Sequence, residues 1–137
     1  MAKSSFLDIS RARTDAIHKI AGALKGVSSV AVTTHINADG DAAGTVAAMA
    51  RLLPQLGSKA VIVNPTPWPP LFSYLKEGLD DQTARGAEDL RSAGALVSHY
   101  MSDLPRHGSL AGAAKSLPGP RVVIDHHVPT DEPAGDI

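Results

Sequence analysis

The chain has 137 residues, 13 lysines and arginines against 14 acids, a formal charge of -1 and no cysteine. Disulfides and thiolate metal sites are therefore excluded, and any metal must be held by histidine and carboxylate. The cations are scattered rather than gathered into a stripe and aromatics make up 4%, so nothing supports salt-driven binding of long nucleic acid or a multi-base stacking platform.

The length fits a single domain over 1–137, large enough to bury a core. Met1-Ala2-Lys3-Ser4-Ser5 leads into a mixed polar stretch rather than a signal-peptide pattern, and no apolar segment approaches membrane-spanning length. Together with the lack of cysteine, this predicts a cytoplasmic protein without a membrane partner. After a start at Asp8 or Ser10, Ile17, Ile20 and Leu24 recur at helical spacing and Gly26 ends the pattern, predicting an N-terminal helix. Ser29 to Thr33 is the first predicted strand. A second helix is predicted from Asp41 to Pro54, with Val46, Met49 and Leu53 facing inward and its alanines and Gly44 allowing close packing.

Lys59 to Asn64 is the next predicted strand. The prolines of Pro65-Thr66-Pro67-Trp68-Pro69-Pro70 bar a regular strand or long helix, and Trp68 reads as covering a core edge rather than stacking on a base. Leu71 to Lys76 predicts a short helix, and Asp80 to Ala93 a polar, solvent-facing helix with loops. Ala95 to His99 is the third core strand, Ser109 to Ser116 a short helix, and Arg121 to Ile124 the fourth strand. Strands alternating with helices predict an α/β fold, a Rossmann-like parallel sheet flanked by helices.

In such sheets, ligand-binding groups collect beyond the carboxyl ends of the strands. Val30-Ala31-Val32 is followed by His35, Asp39 and Asp41, and Val122-Val123-Ile124 by Asp125, His126 and His127. Carboxylates two residues apart repel unless a cation intervenes, and a mixed imidazole and carboxylate set suits Mn, Fe or Zn better than Ca or Mg. Taken singly, each residue has a simpler role: Asp41 as a helix cap, Asp39 as a solvated turn acid, His35 as a polar strand end. The conjunction of both clusters behind strands points instead to a metal site, in which an acid beside an imidazole can fix its tautomer. Arg106 could clamp a phosphate or make a surface salt bridge. Gly40 and Gly44 lack the Lys-Ser/Thr pair of a phosphate-cradling loop.

Together, His35-x-x-x-Asp39-Gly40-Asp41-Ala42-x-Gly44 and Asp125-His126-His127 resemble the motifs of the DHH phosphoesterase family. The resemblance runs from roughly Ser28 to Ile137 and is greatest to the branch of oligoribonuclease/phosphoadenosine-phosphate phosphatases and RecJ-type exonucleases. Type II inorganic pyrophosphatases share the motifs at greater distance. The resemblance implies a Mn-dependent phosphoesterase hydrolysing short oligonucleotides or nucleoside 3',5'-bisphosphates by a two-metal mechanism. It implies that His35 and Asp39 bind one Mn ion and Asp41 and His126 the second. His127 would face the phosphate, Asp125 would support the histidines from behind, and Arg106 would contact phosphate.

The chain departs from the family pattern at two points. The family's metal-bridging aspartate, in a pattern like Asp-Thr-Ser-Asp before an Arg-x-Gly, aligns with Tyr100 when Ser102-Asp103 and Arg106-x-Gly108 are matched. A phenol with a pKa near ~10 is a poor bridge at neutral pH, which leaves His99 and Asp103 as substitute ligands. The sequence also stops at Ile137, ahead of the family's fourth aspartate motif and C-terminal substrate-binding domain. This predicts a truncated DHH domain whose open sheet edge invites pairing, with a second chain supplying the remainder or a homodimer as partner. The alternative expectation is a catalytically incomplete relative, a metal- or phosphate-binding or interaction module, or a decayed fragment.

Overall fold

The computed structural model describes residues 8–137, so the Met1-Ala2-Lys3-Ser4-Ser5 segment lies outside the described residues. Short apolar runs rich in β-branched residues form the centre of the molecule. β1 (Ser29–Thr34) is buried from Val30 onward and β3 (Ala95–His99) throughout. A strand buried on both faces needs paired neighbours at its sides and covering elements above and below. Both conditions are met: with β2 (Lys59–Ile62) and β4 (Arg121–Ile124), these strands make an all-parallel sheet in the order β2-β1-β3-β4.

Helices α1 (Arg11–Leu24) and α2 (Gly40–Gln55) cover one face, α3 (Glu88–Ser92) and α4 (Ala111–Ser116) the other. The architecture is the predicted Rossmann-like α/β sheet. On the first face, Val46, Ala47, Ala50 and Leu53 of α2 meet Val30, Val32 and Ile62, and the small alanines let helix and sheet approach closely. On the second, Leu90 and Ala114 close over Ala31, Val61 and Leu96. Trp68 is 7% exposed and donates its Nε1–H to the Phe72 carbonyl at 2.7 Å, so it does cover a core edge.

Local chemistry sets the element ends. Ser10 caps α1 by accepting the Arg13 amide at 3.3 Å, and Gly26 turns the chain away with φ at +78°. Just ahead of β4, the chain at Gly119 runs against the backbone of Gly94, where a Cβ would overlap the Gly94 carbonyl oxygen. Several predicted bounds move. β2 ends at Ile62 rather than Asn64, and Leu71 to Lys76 forms the greater part of a 3-10 helix over Pro70–Lys76. The helix expected across Asp80 to Ala93 contracts to α3, after a 3-10 turn at Thr83–Arg85 that Gly86 breaks with φ at +64°. Residues 80–82 are diverted from helix because they pair with the outer edge of β2, Ile62 exchanging hydrogen bonds with Asp80 and Gln82. The helix expected from Ser109 starts at Ala111, preceded by a 3-10 segment over Leu104–Leu110 kinked at Gly108.

The outer edge of β4 is not bare, contrary to the expectation of an open edge. Asp136 and Ile137 donate their amides to Arg121 O, and the Val123 amide donates to Ile137 O at 2.9 Å. This is the spacing of a parallel ladder. The Arg121 guanidinium adds a two-point contact to the Asp136 carboxylate at 2.7 and 3.2 Å.

The strand order places a functional crevice. The chain passes from β1 outward to β2, then returns across β1 to build β3 and β4 on the other side. Loops leaving the carboxyl ends of β1 and β3 therefore diverge, and the gap between them is the switch point at which open α/β sheets bind ligands.

Leu96 is fully buried in β3 and packs on the second face. Leu96→Ala is expected to cost about 2–5 kcal/mol, read as a lower urea midpoint with an unchanged denaturant slope.

Candidate metal centre at the carboxyl edge of the sheet

Parallel register brings the three relevant strand ends to one line. Thr34, His99 and Ile124 are aligned across β1, β3 and β4, so His35, Tyr100 and Asp125 leave the sheet side by side. Thr34 Oγ1 donates to the His99 carbonyl at 2.9 Å and ties the two central strands at the switch point.

After β1, the half-buried His35 places Nδ1 2.8 Å from the Ile36 carbonyl. Asn37 adopts a left-handed backbone, φ +54°, and its amide donates to Thr66 Oγ1 at 2.8 Å. Asp39, not Asp41, caps α2, its Oδ1 accepting the Ala42 amide at 2.9 Å. Asp41 instead sits exposed in the first turn, where its charge complements the helix dipole. The simpler roles of these two acids are thus exchanged relative to the sequence reading.

After β4, the Asp125 carboxylate organises its own loop. Its side chain is 2% exposed, and a carboxylate so enclosed needs its oxygens satisfied. Oδ2 accepts the Ser102 hydroxyl at 2.7 Å. Oδ1 accepts the His126 amide at 2.7 Å, the His127 amide at 3.1 Å and His127 Nδ1 at 2.6 Å. Burial alone would raise this acid, but the hydrogen bonds from Ser102 and from His127 outweigh it and hold the pKa at about 2. On the neutral ring, the anionic partner favours the proton on Nδ1 of His127 and leaves the lone pair on Nε2.

The imidazoles of His126 and His127 lie 4.3 Å apart, edge to face. Among the described residues, Asp125, His126 and His127 form a group whose possible ligand atoms all lie within 4.8 Å of one another, and no such group contains His35, Asp39 or Asp41. With Asp125 committed to hydrogen bonds, the two imidazoles are the donors this loop offers. Borderline nitrogen donors beside an anion fit a first-row divalent ion.

The segment after β3 backs this loop. Tyr100 has a left-handed backbone, φ +55°, and its amide donates to Ile124 O at 3.0 Å. Its ring packs 5.4 Å from that of His126, tilted by 47°. Asp103 accepts the Thr130 amide and the Asp131 amide on Oδ1 and the Thr130 hydroxyl on Oδ2, at 2.9, 3.1 and 2.9 Å. Its carboxyl is lowered, first by the Thr130 amide. Arg106 is exposed, and its charge contributes to lowering Asp103. His99 is 3% exposed, and its side chain shares the face of Ala95 and Val97 under α1 and α2. Burial pushes it down to about 4, and its Nε2 has no hydrogen-bond partner.

Two roles were not assigned from sequence. Ser102 is the hydroxyl donor to Asp125, and the only signal was its place in the Ser102-Asp103 pair after β3. His107 is fully buried, with Nε2 3.0 Å from Ser98 Oγ and Nδ1 3.1 Å from the Leu104 carbonyl, a core histidine with both nitrogens partnered.

No family model matches the chain, and no curated protein matches it. Among solved structures, the crystal structure of an exopolyphosphatase-related protein from Bacteroides fragilis is similar in fold, with a TM-score of 0.79 at 18% identity. The likeness covers 90% of this chain and 38% of that one, so the chain spans well under half the length of that neighbour. Among the described residues, no helix is long and apolar enough to cross a membrane.

The depressed Asp125 carboxyl generates a pH prediction. Its folded pKa of about 2 lies below the ordinary 3.8, so its stabilisation is complete above the ordinary value and is lost as pH falls through about 2. Urea midpoints measured across this acid range are expected to fall less steeply for Asp125→Asn than for the wild type. An identical acid limb in both proteins contradicts the hydrogen-bond assignment.

Proposed function

We propose that this chain is the metal-binding domain of a DHH-type, Mn-dependent phosphoesterase acting on short oligonucleotides or nucleoside 3',5'-bisphosphates. The observation that carries the reading is the Asp125-His127 pair beside His126, at the carboxyl edge of a parallel sheet, one strand along from the β1/β3 switch point. Such a pair supplies one imidazole with a fixed tautomer and a free Nε2 lone pair, the form needed to bind a cation or to take up a proton from a water or hydroxyl. His126 would hold the ion. His35, on the loop leaving β1, would add a donor from the far side of the crevice, with Asp39 and Asp41 following it in the same loop.

A bound divalent ion would supply charge neutralisation at phosphoryl oxygens and a lowered pKa for coordinated water. His127, kept by Asp125 as an Nδ1–H tautomer, would take up a proton on Nε2 and, once protonated there, donate to a phosphoryl oxygen. Arg106, exposed on the loop after β3, would contribute a cation for a second phosphate oxygen. The cytoplasmic setting, the Mn identity and the nucleotide substrate class belong to this proposal, as do a partner chain or homodimer that completes the substrate side.

A second reading is favoured by one residue. Tyr100 leaves β3 between the two clusters and packs its ring on His126 where the resemblance implies a bridging carboxylate. On that reading the domain binds a metal or phosphate without turning over a substrate.

Calorimetric Mn titration of the 137-residue chain, with a short oligonucleotide and a nucleoside bisphosphate assayed alongside, separates the two. Bound Mn with hydrolysis supports the enzyme, bound Mn without hydrolysis supports a metal-binding module, and no binding overturns the enzyme and leaves the second reading only its phosphate-binding form. His126→Ala is expected to weaken Mn binding by tenfold or more, by loss of a ligand on the scale of about 10–100-fold known for lesser perturbations of such sites. Unchanged affinity counts against the ligand assignment.

A further inference from the structure

The loop that carries His126 and His127 is fastened at both ends by adjacent residues of another segment. At its start, the Ser102 hydroxyl donates to Asp125 Oδ2 at 2.7 Å and lies 3.4 Å from the His127 carbonyl oxygen. At its far end, both oxygens of Asp103 are engaged by Thr130 and by the Asp131 amide. The backbone reinforces the junction: Leu104 N donates to Glu132 O at 2.7 Å and Ala134 N to Ser102 O at 2.9 Å. Residues 125–134 are otherwise an irregular, largely exposed stretch. Left alone, such a loop would sample many backbone states, and ordering it on ligand binding would cost conformational entropy at every residue.

We propose that Ser102 and Asp103 are positioning residues that preset the His127 imidazole, with Nδ1 protonated and Nε2 open, before any ligand arrives. Ser102 acts through Asp125. By filling Oδ2 it commits Oδ1 to the two loop amides and to His127 Nδ1, so one carboxylate fixes both the backbone turn and the ring. Asp103 holds the exit of the same loop and keeps it from swinging away from the carboxylate. The geometry itself does not require the phosphoesterase reading; only its use for ligand capture rests on that reading.

The test uses metal-free, 15N-labelled protein at a pH where His127 is neutral, with long-range proton–nitrogen spectra reporting the tautomer. The wild type is expected to show the Nδ1–H form as the dominant species. Ser102→Ala is expected to give a mixture of both tautomers and a Mn affinity lower by about 10–100-fold, and Ser102→Thr, which restores the hydroxyl, to recover both. Asp103→Ala removes no group that touches Asp125; it is expected to broaden the His127 signals and to speed amide exchange at Thr130 and Asp131.

If Ser102→Ala lowers the melting temperature while His127 keeps a single Nδ1–H tautomer, the serine is merely structural and the proposal is overturned. A wild-type tautomer in both Ser102→Ala and Asp103→Ala overturns it equally. A tautomer change in Ser102→Ala in a protein whose wild type binds no Mn supports the positioning role and removes the metal-site reading alone.

Discussion

Because β1 and β3 are neighbours buried on both faces, nearly all of their backbone hydrogen-bonding capacity must be spent within the sheet. That requirement forces β2 and β4 to the outside, helices onto both faces, and a reversal of strand order between β1 and β3. The reversal spreads the loops that follow them. Everything of chemical interest then lies where the sheet can no longer satisfy the chain, at the line of His35, Tyr100 and Asp125. Even there the transition is managed by specific bonds, as when Thr34 Oγ1 meets the His99 carbonyl.

A carboxylate enclosed at such an edge is costly unless donors surround it, and the donors around Asp125 come from three directions. Ser102 approaches from the segment after β3, and the amides of His126 and His127 come from its own loop. The imidazole of His127 supplies the last. The acid is thereby kept anionic across the physiological range, and its negative charge orients the His127 ring through Nδ1. Structure and chemistry share one set of hydrogen bonds, so a ligand meeting His127 also feels the fold behind it.

The strands were legible because their signal is local. Ala95 to His99 and Arg121 to Ile124 are apolar runs with clear ends, and the structure reproduces them residue for residue. The Rossmann-like layering followed from the alternation of such runs with helical stretches. Less legible were elements governed by contacts distant in sequence: residues 80–82 read as helical until the outer edge of β2 claims them. The capping role passed from Asp41 to Asp39 because a shift of one or two residues in a helix start is invisible to composition. Of the candidate site, the acid and both histidines could be named from their position after β4. Their geometry could not, since it depends on Ser102 and Asp103 reaching across more than twenty positions of chain, as with the Ser102 to Asp125 separation of 23.

Tyr100 pairs a strained backbone with a well-placed ring. A left-handed conformation in a non-glycine residue costs on the order of 1 kcal/mol, and here it sets a phenol against the His126 imidazole. The chain has a single tryptophan, Trp68, shut into the core, and one other tyrosine, Tyr74, on the surface. An ion taken on by His126 would change the immediate surroundings of this phenol. The protein therefore carries an aromatic ring of its own against one of its candidate ligands, so whatever occupies His126 is felt at Tyr100 and, through its amide, at the end of β4.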